Sequence, residues 1–210
     1  MNEHKKRFLE LAIKVNALKF GDFTLKSGRK SPYFFNAGAF NTGTALFHLG
    51  DLYARTLLDN EIPCDHLFGP AYKGIPLATA TAIALHQYGY TISLVFNRKE
   101  IKQHGEGGQL FGASLTGNTV IIDDVISAGT AFREAQNLIN ETDASLSGVV
   151  IALDRCEKGL GQTSALEDIR TLGINVASVA TLHDLLEYLQ GLHRHKEIKA
   201  IETYLQEYGV

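Results

Sequence analysis

The sequence predicts an α/β protein: a mostly parallel central sheet flanked by helices, with a small N-terminal hood and a mobile lid loop. Three observations carry this reading. Short apolar, β-branched runs alternate with stretches of helical periodicity, the order that lays crossover helices onto a parallel sheet. Polar residues follow the carboxyl ends of four such runs: Tyr72 and Lys73, Arg98 and Lys99, Asp123 and Asp124, Asp154 and Arg155. Parallel sheets carry their ligand sites there. Finally, residues 120–130, "VIIDDVISAGT", end an apolar run in two adjacent carboxylates and continue into a turn of small and hydroxyl-bearing residues.

Taken in order, Phe8, Leu11, Ala12, Val15 and Leu18 fall on one stripe, which predicts an opening amphipathic helix reaching Leu18. Residues 18–38 then mix short aromatic runs with Gly21, Gly28, Pro32 and Gly38, the pattern of short strands and turns. Leu46, Leu49, Leu52, Tyr53 and Leu57 restart a helix. "HLFGPAYKG" reads as a strand and glycine-rich turn, and "IPLATATAIALHQYG" as a helix entered near Pro76. "YTISLVFNR" and "TVIIDDV" are strands, and "AFREAQNLINETD" is the helix after the second. "LSGVVIALDR" and "INVASVATL" complete the strand set, and residues 182–210 read as covering helices. The glycines of "GEGGQLFG" have no clear strand–helix context and match no dinucleotide fingerprint. No linker divides the chain, so residues 1–210 are expected to form one domain. Residues 20–40 contribute to the hood and 98–109 to the lid.

Composition narrows the class. Among 210 residues, 45% are hydrophobic and 20% charged, as in a globular rather than a disordered chain. A net charge of -3 argues against general nucleic-acid binding. Two cysteines, Cys64 and Cys156, make neither a disulfide framework nor a zinc site. No apolar run is long enough to span a bilayer and the opening residues lack a secretory core, so a cytoplasmic protein with no membrane partner is expected. His4, His48, His66, His86, His183, His193 and His195 show no ligand spacing. The pair His193 and His195, two apart on an expected helix, would not face one another.

The opening motif has a physical reading. Successive strand residues point to opposite faces, so Asp123 and Asp124 need not hold the same ligand atom. Ser127, Ala128, Gly129 and Thr130 expose backbone N–H groups, and a helix beginning near Ala131 adds its positive end. That is a cradle for a terminal phosphate. The acids cannot welcome phosphate, but they accept hydrogen bonds from sugar hydroxyls. A sugar phosphate satisfies both halves, whereas a plain helix cap would leave the acid pair without a purpose. "NRKEIKQHGEGG" supplies Arg98, Lys99, Lys102 and His104 before a glycine cluster, a set able to screen charge on a phosphate leaving group. Lys73, between Gly69 and Gly74, and Lys26, beside Arg29 and Lys30, are further cations for a diphosphate. The backbone of Phe34 and Phe35 could frame a planar ring.

With these residues in view, "VIIDDVISAGT" resembles the phosphoribosyl-diphosphate motif of the type I phosphoribosyltransferases. "FTLKSGRKSPYFFNAG", "FGPAYKGIPLA", "FNRKEIKQHGEGG" and "LDRCEKG" are similar to the bacterial orotate phosphoribosyltransferases, and the resemblance covers essentially the whole chain. It implies transfer of a phosphoribosyl group from 5-phospho-α-D-ribose 1-diphosphate to orotate, within UMP synthesis. It also implies Mg2+ held through substrate and water, and a homodimer. By the same resemblance, Asp123 and Asp124 lie by the ribose hydroxyls, and Val125, Ile126, Ser127, Ala128, Gly129, Thr130 and Ala131 hold the 5'-phosphate. Tyr72, Lys73, Arg98, Lys102, His104 and Lys26 meet the phosphoribosyl diphosphate, with Lys99 reaching it across the dimer interface. Phe34, Phe35, Ser127 and Arg155 bind orotate, and Arg155 suits its carboxylate. Lys26, Lys102, His104 and Asp124 form the catalytic set; whether Lys102 or His104 delivers a proton is left open. The family often carries threonine where this chain has Ser127, which keeps the hydroxyl and loses a methyl.

Two other readings stand beside this one. Purine or uracil salvage would use the same scaffold without needing Arg155 for a carboxylate. A non-catalytic phosphoribosyl-diphosphate sensor would need an added nucleic-acid-binding region, and the sequence contains no such basic module.

Overall fold

The computed structural model describes residues 1–25, 27–102, 108–127, 129–159 and 161–210, without the side chains of Ile101 and Lys102. Its sheet runs β5 (Gly108–Gly112), β4 (Ser93–Lys102), β3 (His66–Gly69), β6 (Thr116–Asp123), β7 (Asp143–Asp154) and β8 (Asn175–Thr181) in spatial order. The four inner neighbour pairs are parallel, and β5 (Gly108–Gly112) is the antiparallel edge strand on β4 (Ser93–Lys102). The predicted mostly parallel sheet is therefore present.

Strand alternation sorts the core into two layers. On β3 (His66–Gly69), β6 (Thr116–Asp123) and β7 (Asp143–Asp154), the residues Leu67, Val120, Ile122, Val150 and Ala152 face one cluster. That cluster includes α1 (Glu3–Lys14), α2 (Gly43–Asp59), α3 (Gly74–Gln87), α6 (Leu182–Gly191) and α7 (His195–Tyr208). Their neighbours Phe68, Ile121, Val149 and Ile151 face the other layer, with α4 (Thr130–Asn140) and α5 (Ala165–Thr171). Period-two alternation with apolar residues on both faces is what a doubly covered parallel sheet requires. β8 (Asn175–Thr181) closes the far edge. A separate hairpin, β1 (Leu18–Thr24) with β2 (Lys30–Phe35), packs beside α7.

Three expectations need correction. The helical stripe does not reach Leu18: α1 ends at Lys14, Asn16 takes a positive φ of 59°, and Leu18 opens β1. Leu18 is buried as a strand residue, so burial alone had mimicked the helical period. The loop expected at residues 98–109 is strand at both ends. β4 continues through Lys102 and β5 begins at Gly108, because antiparallel pairing with "GQLFG" extends β4 beyond its apolar part. Residues 103–107 lie outside the described residues. His193 sits in the turn before α7 rather than on a helix, with φ 54°, and its ring centroid lies 6.2 Å from that of His195.

Candidate active site

The chain leaves β3 for β4, its neighbour on one side within the sheet, and returns to form β6, its neighbour on the other. The gap between the carboxyl ends of β3 and β6 is thus the switch point where open α/β sheets bind ligands. Two loops flank it: residues 70–73, and residues 124–127 with Gly129.

Backbones crowd here because side chains are missing. A Cβ on Gly74 would lie 2.5 Å from Pro70 Cδ and 2.8 Å from Ile122 O, so α3 starts in direct contact with the ends of both strands. Across the gap, Lys73 Nζ donates to Asp124 Oδ2 at 2.6 Å. The lysine side chain is 54% exposed and the aspartate side chain 7%. Asp124 Oδ1 accepts from Val125 N at 2.9 Å, and Asp123 Oδ1 accepts from Asp124 N at 2.8 Å. Burial, then the Asp124 carboxylate beside it, pushes Asp123 up from 3.8 to about 7. Tyr53 of α2, fully buried, donates its hydroxyl to Asp123 O at 2.7 Å and anchors the strand end.

Beyond the acids, Gly129 takes φ 71° and turns the chain into α4, whose first turn carries no acidic residue. Its leading N–H groups have no intrahelical acceptor, which suits an anion. Val125 and Ile126 are half-buried, Ser127 and Thr130 are exposed, and Ala131 follows inside the helix. The Arg133 guanidinium lies 3.1 Å from where a Gly129 Cβ would stand, adding a cation to this loop. Ala128 lies outside the described residues.

Tyr72 is 67% exposed, and Lys99 Nζ stands 5.1 Å from its ring centroid. Both line a cavity of about 440 Å³ with Ile75, Asn97, Arg98, Glu100 and Phe111. Asn97 Oδ1 accepts from Ala71 N at 2.8 Å and so ties β4 to the loop after β3. Arg98 is braced rather than loose: Nη1 donates to Leu110 O at 3.0 Å, and its guanidinium lies 4.8 Å from the Phe111 centroid. Lys26 and His104, like the Lys102 side chain, lie outside the described residues.

Arg155 follows β7, the strand next to β6, and so opens on the same edge of the sheet. Its Nε donates to Tyr33 Oη at 3.1 Å and its Nη2 pairs with Glu157 Oε1 at 2.6 Å. Burial opposes its charge, but Tyr33 and Glu157 outweigh that and hold its pKa above the ordinary arginine value. In β2, Phe35 packs toward Phe8 and Phe40, while Phe34 is 40% exposed and stacks on Phe23.

Sequence reasoning had brought the acid pair, the glycine turn, Lys73 and Arg155 to one edge. It missed Tyr53, Asn97, Arg133 and Glu157. Asn97 and Arg133 carried a signal: Asn97 closes the apolar run "SLVF" as a polar residue, and Arg133 falls one helical turn after Gly129. Burial pushes the thiols up, Cys64 to about 12 and Cys156 to about 11, so neither is a thiolate nucleophile near neutral pH. Among the described residues, no helix is long and apolar enough to cross a membrane.

Comparison with known proteins agrees with this geometry. The phosphoribosyl transferase domain family matches residues 39–169. An orotate phosphoribosyltransferase of Legionella pneumophila (strain Paris) is 58% identical over 209 residues, covering 100% of both chains. One from Proteus mirabilis (strain HI4320) is 54% identical over 215 residues, again covering 100% of each. The crystal structure of an orotate phosphoribosyltransferase from Francisella tularensis superposes with a TM-score of 0.88 at 42% identity, covering 97% of this chain and 100% of the other. With an acid pair and a glycine-turned helix start at its switch point, the chain belongs to the orotate phosphoribosyltransferases of the phosphoribosyl transferase domain family.

Proposed function

We propose that the crevice transfers the 5-phosphoribosyl group of 5-phospho-α-D-ribose 1-diphosphate to orotate, releasing orotidine 5'-phosphate and diphosphate. The observation that carries this is the Lys73–Asp124 pair, spanning the switch point beside the open N-terminus of α4. The buried Asp124 carboxylate needs a partner, and ribose hydroxyls can take the place of the exposed lysine. Lys73 can therefore move to an incoming diphosphate, and the freed Asp124 and its neighbour Asp123 then accept from the ribose hydroxyls. Residues 125–131 are read as the 5'-phosphate loop, with Arg133 behind it.

Orotate is already an anion, so its ring nitrogen needs no strong base. The demanding event is departure of diphosphate while the anomeric carbon gains positive charge. Arg98, Lys99, Lys73 and Tyr72, with Lys26, Lys102 and His104, are read as the groups that receive it. Mg2+ would neutralise charge on the departing diphosphate. Asp124 already meets Lys73 and Val125, and Asp123 meets the Asp124 amide. Asp123 and Asp124 would hold such an ion through water beside the substrate, where it would supply charge neutralisation. The exposed edge of β2 at Phe34 and the Arg155 guanidinium are read as the orotate side. The chain is taken as one domain, with the β1–β2 hairpin as hood and the β4–β5 arm as lid, acting as a homodimer in the cytoplasm.

The test is orotate absorbance and diphosphate release followed together with purified protein, 5-phospho-α-D-ribose 1-diphosphate and Mg2+, with adenine, hypoxanthine, guanine and uracil in parallel. Orotate loss matched by diphosphate is expected. Turnover of another base in place of orotate would overturn the base assignment.

A further inference from the structure

We propose that Glu157 is a positioning residue that fixes the Arg155 guanidinium for the substrate carboxylate; this rests on the reading of Arg155 above. Three contacts close a ring: Arg155 Nη2 to Glu157 Oε1 at 2.6 Å, Arg155 Nε to Tyr33 Oη at 3.1 Å, and Tyr33 Oη donating to Glu157 Oε1 at 3.2 Å. The side chains of Arg155 and Glu157 are only 15% and 10% exposed, so water competes little for these bonds. Among the described residues, the hydrogen bonds of Arg155 start from Nε and Nη2. The Nη1 end of the planar fork is then presented to a ligand, in an orientation set by the gripped edge.

Glu157 is itself anchored on both sides. Its Oε2 lies 3.5 Å from Arg29 Nη1, and Arg29 also donates to Lys158 O at 3.0 Å. Its backbone forms a bridge with Gly209, flanked by Lys158 N to Tyr208 O at 2.8 Å and Val210 N to Cys156 O at 3.1 Å. A carboxylate tied by this many partners does not swing away to let a substrate compete for Arg155. It acts as a brace.

Steady-state kinetics of Glu157→Gln, Arg155→Gln and the double variant test this. Glu157→Gln should raise KM for orotate about tenfold, the scale of one hydrogen bond to a charged group. It should leave kcat and KM for 5-phospho-α-D-ribose 1-diphosphate within about twofold, a split that a general loss of structure would not give. Arg155→Gln should raise the same KM further, and the double variant should be no worse than Arg155→Gln alone, because the brace acts only through the arginine. Tyr33→Phe, which removes one side of the ring, should show the same split at smaller size and replaces Glu157→Gln if that variant fails to fold. If Arg155→Gln leaves orotate KM unchanged, the base-site reading fails and the inference with it. If Arg155→Gln acts but Glu157→Gln does not, or lowers KM, or adds to it, the base reading stands and the brace is overturned.

Discussion

Asp123 shows at the residue scale how the site opposes the stability of its own fold. Its carboxyl is raised to about 7 by burial and by Asp124, against 3.8 when unperturbed. Between those values the folded chain holds a proton that the unfolded chain has lost, so stability falls as pH rises through the interval, and the full penalty is present above 7. Asp123→Asn removes the charge and should stabilise the ligand-free protein by on the order of 2 kcal/mol at pH 8, and by less at pH 4.5, while turnover collapses. Thermal unfolding at the two pH values checks this; an equal gain at both would refute it. The acid pair was legible in the sequence because two carboxylates after an apolar strand have few purposes. Tyr53 was not, because it meets the site at the Asp123 carbonyl, and that contact depends on how α2 docks, which no local pattern records. Arg133 was within reach of the sequence, since it stands one helical turn after Gly129.

At the scale of elements, the start of α3 is the most constrained joint. Gly74→Ala would set a methyl against Pro70, Gly69 and the Ile122 carbonyl at 2.5–2.8 Å, atoms that cannot rotate away. The expected cost is about 1–3 kcal/mol of overpacking strain, read as a Tm lowered by several degrees. KM for 5-phospho-α-D-ribose 1-diphosphate should rise too, because the displaced helix carries Lys73 with it. An unchanged Tm would show that the joint has slack. The helices and inner strands were readable from periodicity, since each buries an apolar face. β5 was not, because "GQLFG" is short, glycine-bounded and half-buried, and becomes a strand only by pairing with β4. Leu18 erred the other way: a buried strand residue happened to fall in phase with the helix before it.

For the whole molecule, the homodimer proposed above puts Lys99 of each chain at its partner's site, as the resemblance implies. Mixing Lys99→Ala with Asp124→Ala protein tests the shared-site proposal. Random exchange makes half the dimers mixed, each with one intact site of two, so roughly a quarter of wild-type activity should return. No return despite confirmed subunit exchange would place Lys99 in its own chain's site. Such a partnership was legible only through resemblance, because nothing in a single chain's periodicity marks a surface for its twin. The order of the sheet carries a different consequence, one for how the chain matures. β3 and β6 lie side by side although His66 and its neighbour Thr119 are about fifty positions apart. Everything between them, α3, β4 and β5 included, must be made before that seam can close, and distant pairings of this kind form late and slowly. The crevice therefore does not exist in any half-made chain. It appears only when the two halves meet, and a substrate that binds across the seam stabilises the contact that completes the fold.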